Sequence, residues 1–232
     1  MRILDLFCGA GLVADGLIAA GCEVIGVDIA PQPNFPGPFI QHDALTLDDR
    51  LLTWADAIWA SPPCLRDTAM KSAPGAKGDA HPDLITPTRA MLRRIGRPFV
   101  IENVMRARLA DPVVLCGSMF GLATVDDGTA FHLERHRKFE TNWPLAAPCP
   151  CKHRKPVVGC YGSHARVRAA SAGGRGTRDP WTRPHREIMA EAMGVRRPVL
   201  TAAEISQGIP PVYAEYVATQ LRGHLLAARA AA

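Results

Sequence analysis

The stretch Asp56-Ala57-Ile58-Trp59-Ala60-Ser61-Pro62-Pro63-Cys64 decides how this chain is read. Its apolar run, Asp56 to Ala60, has the length and content of a buried strand. Proline has a fixed φ and no amide donor, so Pro62-Pro63 ends the strand and sets a rigid exit. That puts the Cys64 thiol at a sheet edge, where doubly wound α/β sheets bind ligands just beyond their strand ends. Taken alone, Cys64 is as readily a buried free thiol beside a turn as a reactive one. The neighbouring segments have to separate the two.

Upstream, Arg2 to Phe7 is a short apolar strand. Cys8-Gly9-Ala10-Gly11-Leu12-Val13-Ala14 and a helical pattern stopped by Gly21 follow it. Cys22 to Val27 then reads as a second strand ending in Asp28. Strand, G-x-G-x-x-A, helix and an acid about 20 residues on is the pattern that cradles a nucleoside-type cofactor. Glycines let the backbone approach a ligand, and the acid can hold two ribose hydroxyls. A tight turn without a ligand is the plainer alternative. After the proline-rich loop 31–38, Phe39 to Asp43 is a short segment ending in an acid, suited to an adenine amino group or to capping the next turn.

Downstream, Leu65 to Pro82 has no apolar periodicity and reads as a basic loop, a candidate lid. Asp83 to Ile95 is an amphipathic helix. Pro98 to Ile101 is a strand with Glu102-Asn103-Val104 at its end. A carboxylate and a thiol at two strand ends can converge on one edge of a parallel sheet. Val113 to Gly117 reads as another strand. So does Leu133 to Phe139, with Arg135, His136, Arg137 and Lys138 within it. Residues 140–199 show little regular pattern apart from a helix at Pro184 to Met193. They hold Cys149, Cys151, His153 and Cys160, a zinc-capable set with unusual C-x-C-x-H spacing, weighed below the reading without metal. Thr201 with Glu204 has capping-box spacing. Pro210-Pro211 opens a helix running to Leu225, and the alanine-rich tail 226–232 is expected to fray.

Composition sets outer bounds. The 232 residues suffice for one large domain or one with an appendage. No apolar run reaches the length of a membrane span, and Asp5 near the start argues against a signal peptide. Seven cysteines suit free thiols in a reducing cytoplasm. Net charge is +5 but unevenly spread: residues 1–134 carry 11 Lys/Arg and 16 Asp/Glu, whereas 135–197 carry 14 and 4. A basic segment on an acidic chain is the footprint of a polyanion partner, or else a solvated loop.

Taken in order, these motifs resemble the cytosine-5 methyltransferases. Asp5-Leu6-Phe7-Cys8-Gly9-Ala10-Gly11 is similar to that family's first motif, Pro63-Cys64 to its catalytic motif and Glu102-Asn103-Val104 to its Glu-Asn-Val motif. Arg135-His136-Arg137 resembles its arginine pair. Leu200 to Glu204 and Ile209-Pro210-Pro211 resemble the segments that close the catalytic domain. The resemblance covers 1–139 and about 199–225, in the style of short versions from actinobacteria and their phages.

The resemblance implies a mostly parallel, doubly wound Rossmann-like α/β fold. Residues 1–139 with 199–225 would form the catalytic domain, and 140–198 a small basic target-recognition region. It implies S-adenosylmethionine over the glycine turn, contacted by Phe7, Gly9, Ala10, Gly11, Leu12, Asp28, Ile29, Asp43 and Ala44. It implies Cys64 as the nucleophile, Glu102 as the acid, Arg135 and Arg137 as substrate anchors, and Pro63 and Asn103 beside the substrate. The implied protein is a cytoplasmic, monomeric enzyme that methylates flipped-out cytosine in DNA, as in restriction–modification. Departures from the pattern are Leu65 and Thr68 after the catalytic cysteine, Leu12 for a glycine, and Ser206-Gln207 for Gly-Asn. They leave room for a modified S-adenosylmethionine-type donor, for RNA or a free cytosine nucleotide as substrate, or for an inactive DNA-binding protein.

Overall fold

The computed structural model describes residues 1–63, 82–168 and 179–230. A seven-stranded sheet forms its centre, in the order β3-β2-β1-β4-β5-β9-β6. The first five of these strands are β1 (Arg2–Leu6), β2 (Glu23–Asp28), β3 (Phe39–Gln41), β4 (Ala57–Ala60) and β5 (Phe99–Asn103). They pair in parallel, with β1 next to both β2 and β4, and β4 next to β5. At the far edge β9 (Arg137–Thr141) runs antiparallel to both β5 and β6 (Val113–Leu115).

Both faces of the parallel strands are covered, so alternate residues feed two cores. Ile3, Trp59, Val100 and Phe139 face one side and pack against α1 (Leu12–Ala19) and α6 (Pro211–Ala230). Leu4, Leu6, Ile58, Ala60, Phe99 and Ile101 face the other. There they pack with α2 (Asp49–Trp54) and α3 (Ile85–Ile95). A bidentate pair from Arg89 on α3 to the buried Glu140 on β9, 2.7 Å at both contacts, fastens this second layer. The sequence expectation of a doubly wound, mostly parallel sheet holds, and the antiparallel β9 and β6 extend it.

Three sequence expectations differ from the structure. The strand expected at Leu133 to Phe139 is interrupted: β8 (Thr129–Leu133) ends, Glu134 to His136 form a link, and β9 begins at Arg137. The alternation continued through a turn because Arg135 holds φ at +30°, a region side chains seldom occupy. Nor is 140–199 as irregular as its composition suggests. Besides α4 (His185–Met193), the helix expected there, it supplies β10 (Val157–Tyr161) and β11 (His164–Arg168). With β7 (Ala123–Asp126) and β8 these strands make a second sheet, β11-β10-β8-β7, so the small sheet draws strands from both sides of residue 140. Its core joins Phe131, Leu133, Val158 and Ala165 to Ile188, Met189 and Met193 of α4. Ile205 of α5 (Ala202–Gln207) and Leu12 beside the glycine turn belong to it as well. The tail expected to fray at 226 stays helical to Ala230. Among the described residues, no helix is long and apolar enough to cross a membrane.

Candidate active site

Parallel strands end on the same edge, and that edge holds a cavity of about 590 Å³. The ends of β1, β2, β4 and β5 contribute Phe7 to Val13, Asp28 and Ile29, Ser61 to Pro63, and Glu102 to Val104. Asp43 to Leu45 come from the turn after β3, and Gln207 to Ile209 from the end of α5. Because β9 runs antiparallel to β5, the start of β9 lies at the ends of the others, and Arg137 joins the lining.

The glycine turn is built for close approach. Gly9 has φ +51°, and no atom lies within 4 Å of where its Cβ would stand, so a side chain there would project into open space. Gly11, at φ +82°, has Pro36 and Phe35 packed against it, leaving no room for a side chain. Leu12, where the family pattern has glycine, packs onto Gly208: a Cβ on Gly208 would meet its side chain at 2.7 Å. The absence of a side chain at Gly208 on the facing segment thus leaves room for Leu12. Phe7 itself has φ +57°.

The acids around the turn differ in their surroundings. Asp28 accepts the Gly9 and Ala30 amides at 3.0 Å each, which fixes its carboxylate at the mouth of the turn. Asp43 accepts the Leu45 amide at 2.9 Å and so caps the short turn Ala44–Thr46. Asp5 is fully buried in β1, and neither carboxylate oxygen has a hydrogen-bond partner among the described residues. Burial, then the nearby charges of Asp28 and Glu102, hold its carboxyl well above the usual range.

Glu102 stands across the cavity, buried on β5. Burial raises its carboxyl above the ordinary glutamate value, against the opposing pull of Arg137, Arg135 and a hydrogen bond with Ser61. Its Oε1 lies 3.2 Å from Arg137 Nε. Ser61 Oγ also accepts the Trp59 indole N–H at 3.0 Å, so the β4 exit and the acid form one network. Asn103 donates its amide to the Pro62 carbonyl at 2.9 Å and accepts the Val104 amide, pinning the proline turn from the next strand. Arg135 points elsewhere. Its guanidinium is buried against the carbonyls of Ser206, Gly208 and Cys160, and burial lowers its pKa to about 10.

The cavity therefore gathers Phe7, Gly9, Ala10, Gly11, Leu12, Asp28, Ile29, Asp43, Ala44, Pro63, Glu102, Asn103 and Arg137. Arg135 braces the β8–β9 link against α5 and β10 instead. Cys64, Leu65, Thr68 and the loop up to residue 81 lie outside the described residues. The basic run that suggested a polyanion site is partly spent on structure. Arg183 pairs with Asp126 and Glu191, Arg186 holds the Leu200 carbonyl, and Arg197 ties Asp15 to the Ala10 carbonyl. The sequence cysteine set also changes: Cys151 and His153 cluster with Cys116 and His136 rather than with Cys149 and Cys160. Cys160 is buried on β10, where its thiol is pushed up to about 11.

Sequence reading quoted Asp5 and Ser61 within motifs but gave neither a role at the site. Asp5 lay inside an apolar strand and Ser61 inside the strand exit, and nothing local marks either as facing Glu102.

Comparison with known proteins bears on the fold. No family model and no curated protein matches this sequence. Among solved structures, it is similar to an E. coli prophage-encoded protein named as a DNA modification methyltransferase. That pair has TM-score 0.61 and 14% identity, covering 97% of this chain and 99% of the other. It is also similar to the Dnmt2 methyltransferase of S. pombe, at TM-score 0.59 and 12% identity over 96% and 98% of the two chains. The Entamoeba histolytica methyltransferase EhMeth follows, at 0.56 and 11% over 95% and 98%. At these identities the likeness concerns the fold, which is the Rossmann-like fold of these methyltransferases.

Proposed function

We propose that this protein is a DNA cytosine-5 methyltransferase that takes its methyl group from S-adenosylmethionine. The observation that carries this reading is the pairing of Glu102 with Arg137 in the same cavity as the glycine turn and Asp28.

The residues present fit the cofactor. Gly9 leaves a cradle that a side chain would fill, and Asp28 is held by two amides where a ribose would meet it. Asp5, without a hydrogen-bond partner among the described residues, offers a buried acid near the turn. The volume falls within the range of small-molecule sites. Phe7, Gly9 to Leu12, Asp28, Ile29, Asp43 and Ala44 would hold it. When bound, S-adenosylmethionine supplies an electrophilic methyl group.

The other steps fall to the chain. Cys64, bonded to the cavity-lining Pro63, adds its thiolate to carbon 6 of cytosine and makes carbon 5 nucleophilic. Glu102 holds a proton at ring nitrogen 3, a role served by a carboxyl whose pKa burial has raised. Arg137 orients Glu102 and contacts the base oxygen or a flanking phosphate. Asn103 keeps the Pro62-Pro63 turn in register. Loss of the carbon-5 proton then lets the sulfur–carbon bond break and frees Cys64.

The test is mass spectrometry of nucleosides from DNA incubated with purified protein and labelled donor, with RNA and cytidine nucleotides in parallel. Labelled 5-methylcytosine in DNA is expected, and none with Cys64→Ser. Label in mononucleotide alone would remove the DNA assignment. A donor-derived mass other than methyl would point to a modified donor.

A further inference from the structure

Four side chains that the proposed reaction does not use converge on one point. Cys116 follows β6, His136 sits in the link between β8 and β9, and Cys151 and His153 lie in the loop between β9 and β10. Their ligand atoms all lie within 4.8 Å of one another. Cys116 Sγ is 3.5 Å from His153 Nε2, and Cys151 Sγ is 3.6 Å from His136 Nε2. A tetrahedral zinc with Zn–S about 2.3 Å and Zn–N about 2.0–2.1 Å sets its sulfur and nitrogen ligands about 3.6 Å apart. The two imidazoles stand edge to face, 5.0 Å between centroids and 85° between planes.

The surroundings are organised in the same sense. His153 turns Nε2 toward the sulfur of Cys116 and Nδ1 toward the Glu134 carboxylate, 3.9 Å away. A ligating histidine commonly has its second ring nitrogen directed at a carboxylate in this way. Cys116 is buried, His136 half-buried, and Cys151 and His153 are exposed, so an ion has both a closed side and a route in. The 142–156 loop has no helix or strand, a length at which structureless loops are uncommon in compact domains.

We propose that Cys116, His136, Cys151 and His153 form a structural zinc site of Cys2His2 type. Binding releases the two thiol protons to solvent, so the thiolates balance the charge of the ion. With all four positions filled by protein, no open position remains for chemistry at the metal. The ion fastens the 142–156 loop to the end of β6 and to the β8–β9 link. His136 lies between Arg135 and Arg137, so the same ion fixes the backbone that aims Arg137 at Glu102.

The site is tested on the full chain, purified in reductant without chelator, by elemental analysis and by exchange with Co²⁺. About one zinc per chain is expected, with the visible bands and thiolate-to-metal charge transfer of tetrahedral cobalt after exchange. Cys151→Ser and His153→Ala should each lower the metal content at least about fivefold, as loss of one of four ligands implies. Cys149→Ser and Cys160→Ser should leave it unchanged. The idea fails if the wild-type chain carries no zinc and gives no tetrahedral cobalt spectrum. It fails equally if the metal survives Cys151→Ser, or if peptide mapping finds Cys116 and Cys151 joined as a disulfide under these conditions. Because the cobalt spectrum is read on the unaltered chain, a poorly folded variant does not decide the outcome. None of these measurements depends on methyl transfer.

Discussion

At the scale of single residues, two buried carboxyls stand at this edge, Asp5 and Glu102, and both retain their protons more firmly than usual. A carboxyl whose pKa is raised by folding binds more protons folded than unfolded. Its contribution to stability is complete below the unfolded value and is lost as pH rises through the folded value. Asp5→Asn is therefore expected to flatten the fall in melting temperature as pH rises above the ordinary aspartate range. Parallel melting curves for variant and parent would contradict this. Glu102→Gln keeps the shape and a hydrogen-bond donor but has no proton to transfer. It should lower kcat on DNA by about 10²–10⁴-fold while the fold persists by circular dichroism. Unchanged kcat would remove Glu102 from the mechanism. Glu102 and Arg137 were legible as motif residues, whereas their 3.2 Å contact joins positions on strands far apart in sequence. Asp5 was quoted in the first motif, yet its isolation depends on what β2 and β5 place around it.

Elements were legible where their causes are local. The Thr201–Glu204 capping box forms as its spacing predicts, with the Thr201 amide donated to Glu204 at 2.7 Å. Such a cap contributes about 1 kcal/mol. The strands β1, β2, β4 and β5 are short apolar runs bounded by turns, and they were read within a few residues. The small sheet was not, because β10 is buried at four successive positions and does not alternate. The six residues of α2 are too few to show a period. Packing between elements was also hidden. Gly16 looks unexceptional within α1, yet a Cβ there would stand 1.9 Å from the Pro211 carbonyl oxygen at the start of α6. Gly16→Ala should push the two helices apart and destabilise the protein by about 1–3 kcal/mol. Urea unfolding checks this: a lower midpoint at unchanged slope is expected, and an unshifted midpoint would show that the helices yield freely.

For the molecule as a whole, net charge overstates the surface available to a polyanion. Arg135, Arg183, Arg186 and Arg197 are tied to carbonyls and carboxylates within the fold. Arg154 and Arg166 remain exposed, one in the cysteine-bearing loop and one on β11. Replacing both with glutamine should weaken DNA binding across all sequences. Each lost phosphate contact should make the slope of log affinity against log salt shallower by about one. An unchanged slope would place the DNA elsewhere. The doubly wound sheet was foreseeable from the ordered strands and turns. The bracing of the small sheet was not, since it rests on arginines reaching across long stretches of chain. A last consequence follows from α6, which covers the face made by Ile3, Trp59 and Phe139. On the ribosome α6 follows β1 by about two hundred residues. Until it does, α1 is the one of the two helices that covers that face, so this core closes only once α6 joins it.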